Sequence, residues 1–437
     1  MFETVRNAFK LKEIRSRIIY TLLMLVVVRI GTQLPIPGVN GSYFSEWFSG
    51  NSGSAFGFFD AITGGSFEKM SVFALNITPY ITSSIIIQLL TIAIPKLEEL
   101  QKDGEEGRKK MTAITRYVTV GLALFESIAM AIGFGRQGMI PNLDFFKGVV
   151  VVACLTAGSA MLMWLGERIT DKGIGNGISL IIMIGIIARL PQAFIQEVSS
   201  RFTAITGGGL VMFIVEILIL YAVVCASLLL VQGTRKIPVQ YAKRIVGNKQ
   251  YGGARQYVPL KLFAANVMPI IFAQALMFIP LAIVQYSTDQ SGYIIRSLMD
   301  HRSLLYNIVF AALIIAFTYF YTALTLNATQ MAEDMKRNNG FIPGIKPGKD
   351  TADYIDTVMS RITFPGSLFI AFIAVMPALA GLLNVQDAFS QFFGGTSLLI
   401  LVGVVLDTLQ QIESHLMMRH YDGLMKSGKI KGRSGAY

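Results

Sequence analysis

From one end to the other, the chain alternates long apolar runs with shorter polar stretches. Ten runs stand out, at about 18–34, 70–94, 113–133, 148–166, 177–195, 207–231, 262–286, 304–328, 362–383 and 395–418. Each is close to the ~17–25 residues that cross a hydrocarbon core. No water reaches that core, so a crossing segment must satisfy its peptide groups by hydrogen bonds within itself. The pattern therefore predicts ten transmembrane helices in an all-α polytopic membrane protein. Ahead of the first run, Phe2, Val5, Phe9 and Leu11 to Ile14 make the apolar face of a short helix, expected to lie on the membrane surface. No small-residue cleavage pattern follows the first apolar run, so this helix reads as part of the mature chain and not as a signal peptide.

Composition strengthens the membrane reading, and charge gives it a direction. The 437 residues are 53% hydrophobic and only 15% charged, with a mean hydropathy of +0.55, where a soluble domain carries about 25% charged residues. Of the 38 lysines and arginines, thirty fall in the N-terminus, in every second loop and in the C-terminus. The opposite loops hold few, and residues 384–394 hold none. This bias places both termini and the long basic loops on the cytoplasmic side. Two of those loops, 235–261 and 333–361, are long enough to stand clear of the bilayer. The first carries Arg235, Lys236, Lys243, Arg244, Lys249, Arg255 and Lys261 with no acidic residue. Such a cluster binds anionic lipid heads or docks an acidic partner or RNA. Anchoring alone needs fewer charges, which favours docking.

One stretch breaks the pattern of plain spans. Residues 50–69 (GNSGSAFGFFDAITGGSFEK) are glycine-rich and only half apolar. Irregular backbone at membrane depth survives where it is buried in protein or lines a wet cavity, so a re-entrant piece beside a pore is the favoured reading. An ordinary exposed loop is the alternative.

Candidate chemistry is sparse. Cys154 and Cys225 sit among apolar neighbours, as inert small hydrophobes do, and His301, His415 and His420 lie at or beyond run ends without metal-ligand spacing. A phosphate loop needs G-x-x-x-x-G-K-S/T; GIKPGKD at 344–350 lacks the first glycine and has Asp350 at the last position. The glycines of GIGNG at 173–177 follow an apolar run and suit a tight turn. An intramembrane hydrolase is disfavoured, because no G-x-S-x-G and no histidine at depth is present. A coupled transporter remains an alternative, with Glu126 and Glu216 as intramembrane carboxylates, and so does a passive scaffold.

Eight stretches, in order, resemble the bacterial SecY family (the SecY/Sec61-alpha family). They are LPIPGV at 34–39, FALNITPYITSSIIIQLLT at 73–91, DGEEGRKK at 103–110, GIGNGISLII at 173–182, IPVQYAKR at 237–244, PLKLFAANVMPIIFA at 259–273, FIPGIKPGKDTADYI at 341–355 and FFGGTSLLILVGVVLD at 392–407. The resemblance implies a single channel domain over 1–437, built from two inverted five-helix halves, about 1–200 and about 201–437. They enclose an hourglass pore that opens sideways between spans 2 and 7. It implies a pore ring of Ile81, Ile85, Ile182, Ile271 and Ile400. It also implies a short plug helix at about 56–69, with Phe56, Phe58, Phe59, Ala61, Ile62, Gly64 and Gly65. The lateral gate would be lined by Ile86, Gln88, Leu89, Phe272, Gln274 and Leu276.

No cofactor, metal or catalytic residue is expected from the resemblance, and no energy source is encoded. Work would come from the SecA ATPase or a ribosome, docked through Arg235, Lys236, Lys243, Arg244, Arg255, Lys346 and Lys349. SecE and SecG subunits, signal-bearing preproteins and anionic phospholipids complete the implied partners, in a bacterial cytoplasmic membrane. Two positions depart from the family pattern: Lys346 stands where arginine is usual, and Glu126 where an uncharged polar residue is expected.

Overall fold

Apolar runs this long have one way to bury their backbone polarity, and the structure, a computed structural model, is mostly helical. The residues described are 9, 11–39, 64–136, 144–203, 209–241, 244–246, 249–251, 255–262, 268–274, 276–277, 297, 303–382, 385–390 and 392–426. The helices are α1 (Lys12–Gly31), α2 (Thr78–Ala93), α3 (Pro95–Lys102), α4 (Gly104–Arg136), α5 (Phe145–Lys172), α6 (Gly177–Thr203) and α7 (Gly209–Gln232). After a set of strands come α8 (Leu304–Thr325), α9 (Ala328–Arg337), α10 (Lys349–Leu382), α11 (Asp387–Ser390) and α12 (Gly395–Lys426).

Among the described residues, seven helices are long and apolar enough to cross a membrane, and α2 with α3, bent by 105° at their junction, gives an eighth candidate. Of the other two predicted spans, one is α1, whose 20 residues reach about 30 Å but carry Arg15, Arg17 and Arg29. The last, 262–286, is described only at 262, 268–274 and 276–277, and both of the latter stretches are helical.

The chain divides into two compact units, Met1–Pro191 with Val404–Tyr437, and Gln192–Gly403. In the first, the predicted helix at 70–94 starts late. Residues 64–77 are turns, and helix begins only at Thr78. Met70 and Asn76 adopt φ of 44° and 51°, a region that a right-handed helix cannot use. The Ile36 amide donates to the Met70 carbonyl and the Val72 amide to that of Leu34, which ties the turns to the chain leaving α1. Beneath them Ile36, Phe67, Met70, Ala74 and Leu75 pack on Ala131 and Phe134 of α4 and on Val151 and Leu155 of α5. Gly158 of α5 has no side chain because a Cβ there would run into the Val72 carbonyl; small residues at such crossings let membrane helices approach closely. The turn after α5 is held from three directions. The Ile174 amide donates to Thr21 Oγ1 at 3.1 Å, the Gly175 amide to Gln411 Oε1 at 2.9 Å, and the Gly177 amide to Thr170 Oγ1 at 2.9 Å.

In the second unit, the loops expected at 235–261 and 333–361 fold together. Strand β1 (Thr234–Tyr241) pairs antiparallel with β4 (Arg255–Lys261), from Thr234 opposite Lys261 to Gln240 opposite Arg255. Its end also pairs with β5 (Gly340–Phe341), while β2 (Arg244–Val246) and β3 (Lys249–Tyr251) form a separate hairpin. The reason lies in the period-two pattern of KIPVQ, which sends Ile237 and Val239 to one face. With Leu260 they bury against Met335 of α9, Ile342, and Ile355 and Met359 of α10. Arg235 and Lys236 stay exposed.

Candidate functional site

The isoleucines assigned by resemblance to a ring are divided between the two units. Ile81 and Ile85 lie one turn apart on α2 and Ile182 lies on α6, all in the first unit; Ile271 and Ile400 belong to the second. Ile85, Ile182 and Ile400 are buried, at 6%, 6% and 4% exposure, while Ile81 and Ile271 are half-buried. Ser83 of α2 shares a hydrogen bond with Thr119 of α4. Ser159 of α5 donates to the Asn76 carbonyl at 3.3 Å. Both contacts fix the helix that carries Ile81 and Ile85.

Of the residues assigned to the plug, Phe56, Phe58, Phe59, Ala61 and Ile62 lie outside the described residues. Gly64 and Gly65 are described, with φ of 68° and 86°, a left-handed pair that glycine adopts at no steric cost. Sequence reading missed the two arginines that meet them. Arg29 of α1 donates to the Gly64 carbonyl at 3.2 Å. Arg189 of α6 lies beside Gly65 and holds Glu68 Oε2 through its Nη2 at 2.7 Å. Both lie outside the termini and basic loops that hold thirty of the 38 lysines and arginines. Their position within apolar runs was the available signal, because charge at depth marks a partner nearby.

The gate candidates differ among themselves. On α2, Ile86 and Leu89 are half-buried and Gln88 is exposed. In the second unit Phe272 stacks on Phe317, with ring centroids 5.4 Å apart, and tilts against Tyr321. Gln274 donates to Thr396 Oγ1 of α12, one turn before Ile400, while Leu276 is exposed. Phe272 and Gln274 thus carry contacts inside their own unit.

The docking candidates gather on the strand module. Arg235 and Lys236 project from β1, and Lys346 and Lys349 are exposed at the start of α10. The loop bearing Lys346 is shaped by Gly344 and Gly348 at φ of 87° and 114°. Thr351 Oγ1 donates to the Lys346 carbonyl at 2.8 Å and closes it. Arg244 and Arg255 sit in β2 and β4, and Lys243 lies outside the described residues.

Glu216, weighed as a proton relay, has a partner that sequence reading overlooked. Arg201 at the end of α6 bonds both Glu216 of α7 and Glu197, the latter at 2.8 Å. Glu197 Oε2 in turn accepts from the Gln386 amide at 2.9 Å. All three ionic groups are buried, so the trio ties α6, α7 and the segment after α10 together. Glu126 is half-buried on α4. Among the described residues, no cluster of three or more His, Cys, Asp or Glu could hold a metal.

Comparison with known proteins finds similarity along nearly the whole chain. A family sequence model described as SecY matches residues 71–409. The chain is 41% identical to the protein translocase subunit SecY of Mycobacterium tuberculosis and 42% identical to that of Streptomyces coelicolor, each over 98% of this chain and 100% of the relative. Among solved structures, one described as a protein-conducting channel superposes with a TM-score of 0.63 at 20% identity, covering 91% of both chains. A second, whose description assigns to the SecY plug domain a role in stabilising the closed state and the membrane seal, gives 0.61 at 20% identity and 91% coverage of both. Sec61 in a canine ribosome–channel complex gives 0.60 at 18% identity, again over 91% of both.

Proposed function

Because the chain belongs to the SecY family, we propose that it is the pore-forming subunit of a protein translocase, which passes unfolded preproteins across a membrane and releases apolar segments sideways into it. The observation that carries this reading is the match to translocase subunits at about two residues in five over nearly the whole chain. The chemistry explains why such a channel is needed. Each peptide group left unsatisfied in hydrocarbon costs several kcal/mol, so ten residues of bare backbone cannot cross unaided.

A wet path removes that cost but must not leak ions. In this reading Ile81, Ile85, Ile182, Ile271 and Ile400 form an apolar constriction, which dewets and offers nothing in place of an ion's hydration shell. The glycine-rich stretch at about 56–69 is the plug. The gate parts between Ile86, Gln88 and Leu89 on one side and Phe272, Gln274 and Leu276 on the other. A signal sequence with ~10 apolar residues, each contributing about −0.3 to −0.6 kcal/mol in the bilayer, brings roughly −3 to −6 kcal/mol. That is enough to bias a gate whose two states differ by a few kcal/mol.

The membrane is the bacterial cytoplasmic one, with both termini inside. SecE and SecG are the companion subunits, and anionic phospholipids meet the basic face. SecA or a ribosome engages Arg235, Lys236, Lys243, Arg244, Arg255, Lys346 and Lys349. Lys346 offers a point charge where an arginine fork would bind bidentately.

The test is export into proteoliposomes holding this chain with SecE and SecG, supplied with SecA, ATP and a signal-bearing preprotein. The expected result is ATP-dependent protection of the preprotein from added protease, falling when Arg244 and Lys346 are both changed to glutamate. A folded complex that protects no preprotein, beside a working control channel, would return solute transport to the lead.

A further inference from the structure

The first described residues of the glycine-rich stretch are held by an arrangement that ordinary helix packing does not require. Helix α6 presents Ile182, Gly185 and Arg189 at i, i+3 and i+7, which is one face, and Arg189 stands about 10 Å along the axis from Ile182. Gly64 lies on that face directly over Gly185. A Cβ at Gly64 would come within 2.7 Å of the Gly185 Cα and carbonyl oxygen, so two glycines bring backbone against backbone. On one side of this contact Arg29 donates to the Gly64 carbonyl; on the other Arg189 pairs with Glu68. Two cations on two different helices thus converge on five consecutive residues. The Arg189 and Glu68 side chains are half-covered, at 26% and 39% exposure, where an ion pair is screened less than at an open surface.

We propose that Arg29 and Arg189 are positioning residues: they clamp the Gly64–Glu68 turn onto the face of α6 that carries Ile182, and so bias the resting channel toward its sealed state. The inference rests on the reading of this stretch, at about 56–69, as a plug and deepens it. Phe67 of the same turn is buried in the core with Phe134 of α4 and Leu155 of α5, so the polar contacts of Arg29 and Arg189 set where the turn sits on α6. The backbone contact supplies the register, because a side chain at position 64 would collide with the Gly185 backbone.

The experiment measures resting ion leak in proteoliposomes carrying the whole complex, without SecA or substrate. It compares the parent with Arg189→Gln, Glu68→Gln, the double variant, Arg29→Gln and a deletion of residues 56–62. The expected result is a leak about tenfold above the parent for Arg189→Gln and for Glu68→Gln, as a tenfold shift in the open-to-sealed ratio would give. The double variant should leak no more than either single one, because the pair acts as a unit. Arg29→Gln should raise the leak independently and add to the others. The thermal midpoint of the complex should stay within a few degrees of the parent, since a partly exposed pair contributes little to global stability. Parental leak in all clamp variants, while the deletion leaks, would overturn the clamp and keep the plug. Parental leak in the deletion as well would overturn the plug reading itself. A double variant leaking as the product of the singles would overturn the pairing of Arg189 with Glu68.

Discussion

At the residue scale, the polar groups at membrane depth divide by what surrounds them. Arg201 neutralises one of two buried carboxylates, and its removal would strand both. Arg201→Leu is expected to cost about 3–5 kcal/mol, the usual penalty for breaking a buried ion network from one side, and to lower the thermal midpoint of the purified complex in detergent. The isoleucines follow the opposite logic, because their contribution is to offer ions nothing. Ile85→Asn should raise resting conductance in a planar bilayer several-fold, since a polar side chain wets a constriction that an aliphatic one keeps dry. Residue types at these sites were legible in the sequence; pairings were not. Arg29 and Arg189 fell outside the loop totals that set orientation. Glu216 stands in the sequence as an intramembrane carboxylate, while its arginine lies fifteen positions earlier on another helix. Counting charges along a line discards the distances that give them meaning.

At the element scale, long runs were read well and irregular ones poorly. The runs at 148–166 and 304–328 became α5 and α8 with ends extended or moved by a few residues. The run at 70–94 did not, because hydropathy cannot tell a buried turn from a buried helix. Residues 67–77 are mostly apolar and mostly covered, with Lys69 exposed among them, and the left-handed residues Met70 and Asn76 are invisible to an average. The strand module was missed for a related reason. Its alternation spans only Ile237 and Val239 in β1, and the helices that cover them arrive about ninety residues later. Val239→Asp would place an unpaired carboxylate in that core, at a cost of several kcal/mol. Limited trypsin digestion should then cut near Arg235 and Lys236 many-fold faster, with the membrane helices still protected.

At the scale of the whole molecule, the family assignment was legible because eight motifs fall in order along the chain, and no single one would have carried it. The resemblance implies halves at about 1–200 and about 201–437, whereas the compact units are Met1–Pro191 with Val404–Tyr437 and Gln192–Gly403, so that α12 begins in one and ends in the other. A translocase and a coupled transporter share inverted repeats, so architecture leaves them level and only a residue can separate them. Glu126 is that residue. Glu126→Gln should leave preprotein export within about twofold of the parent, as expected for a carboxylate outside the reaction path. A transporter that used it as a relay would lose coupling altogether.

The strand module also has a mechanical side. Strand β1 follows α7 after the single residue Gly233, and the Leu262 amide donates to the Gly233 carbonyl at 2.8 Å, closing the base of the hairpin. The loop bearing Lys346 runs straight into α10, and β5 pairs with the far end of β1. The module is therefore a stiff lever with two feet, each bolted to a different long helix. A load applied at its tip does not dissipate in slack loop; it arrives as torque on α7 and α10 together.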